Sequence, residues 1–139
     1  MSYTIEPIEH DADAGLEILA DSLPELFRAA ALGMLDIILD RSKIESRTTR
    51  LVAINAESVD LLLVYFLSEI LSLVQVEAFA IFDVEIGEIN EKMAVAEVSG
   101  HPEIPENVLK TEIKLVTYHQ LDVHKGEDAK WHGRVIFDL

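Results

Sequence analysis

The hydrophobic pattern changes period several times along the chain, and each change marks an element. Tyr3 to Ile8 alternates apolar and polar positions, as a half-buried strand does. Gly15 to Ala20 alternates again, with Leu16, Ile18 and Ala20 on one face and Glu17 on the other. That leaves Glu9-His10-Asp11-Ala12-Asp13-Ala14 as the connection. Ser22-Leu23-Pro24-Glu25 then predicts a helix start. Ser22 is a capping residue, Glu25 stands where a capping box requires it, and Pro24 falls in the first turn. Leu23, Leu26, Phe27, Ala30, Met34, Leu35 and Ile38 recur at helical spacing; Asp40 and Arg41 leave the stripe.

Thr48 to Ala56 is β-branched and alternating, hence a strand. Ser58 and Asp60 open a second helix running to about Val74. Leu61 to Leu67 is apolar on every side, which predicts that this helix is the most buried element. Phe79 to Ile89 and Met93 to Ser99 flank Asn90-Glu91 as a hairpin, and Gly100-His101-Pro102 begins a loop. Glu112 to Tyr118 reads as another strand. Leu121 to His124 and Trp131 to Asp138 flank Gly126-Glu127-Asp128 as a second hairpin. The expectation is an α+β fold, a mixed β-sheet with two α-helices packed against it, as a single domain over residues 1–139.

Composition narrows the function. Half of the 139 residues are hydrophobic, enough for a substantial core. The chain has no cysteine, so neither a disulfide framework nor a thiolate metal site is open to it. The start, Met1-Ser2-Tyr3-Thr4, has no basic stretch followed by an apolar run, and Leu61–Leu67 is far shorter than the ~20 residues a bilayer needs. A cytoplasmic protein without membrane association is expected. The formal net charge is −15. Phosphate affinity comes mainly from Lys and Arg, so tight direct binding of nucleic acid is not expected. Cations and basic protein surfaces are the natural partners. Before Arg28 the chain carries seven acids and no Lys or Arg.

Three constellations could carry chemistry. In an extended His10-Asp11-Ala12-Asp13, the side chains of Asp11 and Asp13 share a face roughly 6–7 Å apart. Two carboxylates so placed repel, unless one is protonated or a cation lies between them. Alone, the pattern reads first as an acidic turn and second as a cation site. Asp138 and the α-carboxylate that Leu139 carries when nothing follows it would add hard oxygen ligands, suited to Ca²⁺, Mg²⁺ or Mn²⁺. By itself a terminal Asp-Leu carries no signal. The histidines (His10, His101, His119, His124, His132) form no zinc-binding spacing. His119, at a strand end, reads as a structural residue or one beside a site. There is no glycine-rich phosphate loop, nucleophile elbow or marked triad.

Taken together these segments resemble the archease family from end to end. Glu9-His10-x-Ala12-Asp13 resembles its opening motif. Ser22-Leu23-Pro24-Glu25-Leu26-Phe27-Arg28-Ala29-Ala30 is similar to its first helix, and Leu61 to Glu69 to its second. Glu112-Ile113-Lys114-Leu115-Val116-Thr117-Tyr118-His119 and Val135-Ile136-Phe137-Asp138-Leu139 resemble its two most recognisable strands. Asp11 departs from the usual Thr, and Asn107 stands where His is common. The resemblance implies a non-catalytic, metal-binding accessory factor of the RtcB-type, GTP-dependent RNA ligase of tRNA splicing. Such a factor promotes ligase guanylylation and multiple turnover in joining 3′-phosphate to 5′-hydroxyl ends. It also implies a divalent metal (Ca, Mg or Mn) on Asp13, Asp138 and Leu139, with His10, Asp11 and His119 beside them. A small metal-dependent phosphoesterase and a general chaperone-like binding module are the alternatives.

Overall fold

The computed structural model describes residues 2–10 and 13–139, the side chains of Glu9 and His10 excepted. The strands fall into two sheets. In the larger, β1 (Tyr3–His10), β2 (Asp13–Ala20) and β8 (Trp131–Asp138) lie side by side. The other edge of β8 is shared by β6 (Leu115–Val116) and β7 (Asp122–Lys125). The smaller sheet runs β3 (Thr48–Asn55), β5 (Met93–His101), β4 (Ala80–Ile89). Two helices, α1 (Leu23–Ile38) and α2 (Val59–Gln75), pack on both sheets. The α+β expectation of strands with two packed helices is met. Among the described residues every strand pairing is antiparallel.

The helices start where the sequence places them. Ser22 Oγ accepts from the Glu25 N–H, and Ser58 Oγ from the Leu61 N–H, each at 3.3 Å. Such caps each contribute about 1 kcal/mol. The capping box at α1 is only half made. The Glu25 carboxylate accepts from the Ser2 N–H at 2.7 Å instead, so the buried acid ties down the entry to β1. Where the helices meet, the rings of Phe27 and Phe66 are 5.6 Å apart and tilted by 49°. A tilted aromatic pair of this kind contributes about 0.5–1.5 kcal/mol beyond its buried area.

Four sequence-based expectations need correction. First, α1 rather than α2 is the more enclosed helix. α1 buries all but four of its 16 residues, whereas Tyr65, Ser68 and Glu69 of α2 face solvent. The small Ala29, Ala30, Ala31 and Gly33 let structure close around α1 on several sides, which a count of large apolar residues underweights. Second, most of the supposed connection Glu9–Ala14 is strand, since β1 runs to His10 and β2 begins at Asp13. Third, Gly100 and His101 belong to β5, not to a loop. A Cβ on Gly100 would stand 2.0 Å from the Ala80 carbonyl oxygen, so only glycine allows β4 this close. Fourth, the strand expected over Glu112–Tyr118 shrinks to Leu115–Val116. Ile113 and Val116 are both buried, a spacing a straight strand cannot give, and β7 takes the rest of the β8 edge.

No helix among the described residues is long and apolar enough to cross a membrane.

Candidate functional site

The β2–β8 ladder sets Asp13 directly opposite Asp138. Continuing across the sheet, His10 pairs with Asp13 and Leu115 with Asp138, so the register row reads His10, Asp13, Asp138, Leu115. Directly opposed residues of an antiparallel pair share a face, with Cβ atoms roughly 4.5–5.5 Å apart. Val135 and Phe137 are buried on the inner face of β8. By alternation Asp13 and Asp138 therefore stand on the outer face. Like charges so placed destabilise a ladder. Among the described residues neither carboxylate enters an ion pair.

The backbone here is held closely. The Lys114 N–H donates to the Asp138 carbonyl at 2.7 Å, and the Thr117 N–H to that of Ile136 at 2.9 Å. Gly15 is required beside the pair, because a Cβ there would meet the Val135 carbonyl oxygen at 2.6 Å and the Ile136 side chain at 2.7 Å. Behind the row, a cavity of about 480 Å³ separates this end of the sheet from α1. Asp13, Leu139, Gly33, Asp36 and Thr111 are among the residues that line it. The Leu139 side chain packs on the core, next to the Asp13–Asp138 pair.

The remaining sequence-based candidates are placed less closely. Asp11 lies outside the described residues. His10 holds the register position opposite Asp13. His119 is set apart. The β6–β8 register puts Leu115 opposite Asp138 and Val116 opposite Phe137, so each further residue moves away from Asp138. His119 is exposed, and its N–H bonds Thr117 Oγ1 at 3.2 Å. Asn107 has a φ of 64°, a left-handed conformation that Asn tolerates better than most residues, which suits Asn to that loop position.

Sequence reasoning missed Asp36, which borders the same cavity. Its carboxylate takes the Arg41 Nε–H at 2.7 Å and an Nη2–H at 3.2 Å, so its charge is already matched. The signal was a lone acid late in an apolar helix, with Arg41 following the helix end.

A divalent cation would find hard oxygens here, two opposed carboxylates, which is the right chemistry for Ca²⁺, Mg²⁺ or Mn²⁺. Among the described residues no group of three or more His, Cys, Asp or Glu side chains is arranged to hold a metal ion. Further oxygens would have to come from outside that set, such as a Leu139 α-carboxylate or water.

Comparison with known proteins settles the family. The sequence matches the archease protein family (MTH1598/TM1083) over residues 6–139. The chain belongs to the archease family. The archease of Methanosarcina acetivorans is 35% identical over 139 residues, spanning 96% of this chain and 94% of that protein. The archease of Pyrococcus abyssi is 33% identical, spanning 96% and 97%. The solution structure of Methanobacterium thermoautotrophicum protein 1598 superposes with a TM-score of 0.80 at 31% identity, over 97% of this chain and 98% of that one. A crystal structure from Thermotoga maritima, described as an archease and possible chaperone, shares the fold at a TM-score of 0.66 and 23% identity, over 96% of each chain.

Proposed function

We propose that this member of the archease family is a non-catalytic, cytoplasmic accessory protein. It binds a divalent metal and activates the RtcB-type, GTP-dependent ligase that joins 3′-phosphate to 5′-hydroxyl RNA ends in tRNA splicing. It promotes ligase guanylylation and repeated turnover. The observation that carries the reading is the opposition of Asp13 and Asp138, two like charges fixed side by side with no Lys or Arg against them among the described residues. Such a pair raises the free energy of the empty protein and lowers that of the cation-bound one. Asp13, Asp138 and Leu139 would hold the ion, with His10 and Asp11 beside them. When bound, the ion supplies concentrated positive charge at one end of the sheet. The net charge of −15 over the whole chain disfavours RNA and favours a basic, RNA-binding protein partner.

The test has two readouts. Calorimetric titration with Ca²⁺ or Mn²⁺ should show binding by the wild type and its loss in Asp13→Ala and in Asp138→Ala. The same variants should keep the wild-type circular dichroism spectrum yet no longer stimulate a cognate ligase. Full stimulation by both would end the metal-site reading. Hydrolysis of generic phosphoesters with Mg²⁺ and no ligase present would replace it with a phosphoesterase.

A further inference from the structure

A sheet edge presents unpaired N–H and C=O groups, and proteins usually guard long edges against pairing with another chain. Three of the edges here are guarded or short. β1 carries Pro7, which has no N–H to offer. On β4 the Arg28 Nε–H donates to the Val84 carbonyl at 3.0 Å, and an Arg41 Nη1–H to that of Phe82 at 2.7 Å. The register of β4 is also broken between Ile81 and Asp83 and between Ile86 and Ile89. On the far side of β8, β6 and β7 have only 2 and 4 residues.

β3 is different. It pairs with β5 over all 8 residues without a break. Its sequence, Thr-Thr-Arg-Leu-Val-Ala-Ile-Asn, has no Pro, Gly or Lys and is rich in β-branched residues. Among the described residues no side chain or main-chain group bonds to its outer edge. Its single charge, Arg50, is turned to the inner side, where the guanidinium lies 4.7 Å over the Phe79 ring and pairs with Glu77. Leu51, on the outer face, is 76% exposed.

We propose that two copies of this chain pair through β3, antiparallel about a two-fold axis at Val52, joining their three-stranded sheets into one. The two-fold must stand normal to the sheet, so residues sharing a face are opposed. Centred on Val52, Leu51 meets Ala53 of the other copy, Arg50 meets Ile54 and Thr49 meets Asn55. No like charges are opposed, and the exposed Leu51 gains an apolar neighbour. Charge argues for this edge over the others. Each copy carries −15, yet β3 holds no acid, and the preceding segment brings Lys43 and Arg47 against one Glu45. It is the stretch where self-repulsion opposes contact least. A single strand pair is small beside the ~1,600 Å² of standard stable complexes, so the dimer is expected to be reversible.

Sedimentation velocity of the wild type over rising concentration should show a monomer–dimer equilibrium that strengthens with added salt. Leu51→Lys, at an exposed position that the fold does not need, should abolish the dimer and leave the monomer folded. The chain has no cysteine. Under mild oxidation the double variant Leu51→Cys, Ala53→Cys should therefore form a covalent dimer through those positions alone. A wild type that stays monomeric at every concentration overturns the proposal, as does a dimer that survives Leu51→Lys.

Discussion

Two rows of one ladder show how the same strands can close a sheet or open a site. On the outer face of β2 and β8, Glu17 stands opposite Arg134 and the two form an ion pair. Asp13 stands opposite Asp138 in the same ladder and on the same face. The first row matches its charges and stitches the strands together. The second leaves two negative charges side by side. The contrast is what the proposed cation site rests on: the matched row supports the sheet, and the unmatched one is where an ion would relieve repulsion.

Making the second row like the first should break the site most severely. Asp138→Arg converts it into a matched pair. Calorimetry with Ca²⁺ or Mn²⁺ should then show no binding, while thermal stability rises, because repulsion is replaced by attraction. The stability gain should be on the order of 0.2–1 kcal/mol. A loss of stability would mean that the two carboxylates do not repel in the folded protein. Gly15→Ala comes next. Its methyl would push on the Val135 carbonyl and the Ile136 side chain, and overpacking of this kind costs about 1–3 kcal/mol in chemical denaturation. Cation affinity should fall with it, since the strands that present the carboxylates are forced apart.

Changes to the matched row should be milder. Glu17 and Arg134 are each more than a third exposed at the side chain, so Glu17→Ala is expected to cost no more than about 1 kcal/mol and to leave cation binding intact. The smallest effect belongs to Asp128. The Lys130 N–H and then the His132 ring hold its carboxyl below the usual carboxylate value. A depressed acid stabilises the fold above its unfolded pKa, and that contribution fades as pH falls through the folded one. Asp128→Asn should thus be slightly less stable than wild type at neutral pH. The two melting curves should converge in strong acid.

Local features were legible from the sequence. Trp131–Asp138 is delimited as one arm of the hairpin around Gly126-Glu127-Asp128, and Ser22 and Ser58 mark the helix starts, because caps and turns are written in adjacent residues. The burial of α1 was not legible, since Ala29 to Ala31 and Gly33 become core only when structure encloses them. Nor was the short β6, whose length is set by competition with β7 for one edge. At the site, Asp13 and Asp138 could be named as candidates, but their opposition depends on the β2–β8 register, which no local pattern specifies. Asp36 escaped notice because the Arg41 that matches it marked the end of a helix rather than a partner.

The position of β8 has a consequence for synthesis. The strand at the middle of the larger sheet is made after every other strand it touches. Until it emerges, β1 and β2 form a ribbon with one side open, and β6 and β7, though they pack on α2, lack the strand with which they pair. Two-stranded ribbons are marginal in water. The five-stranded half of the molecule must therefore consolidate late and through distant contacts, a topology that slows folding and exposes apolar surface to aggregation.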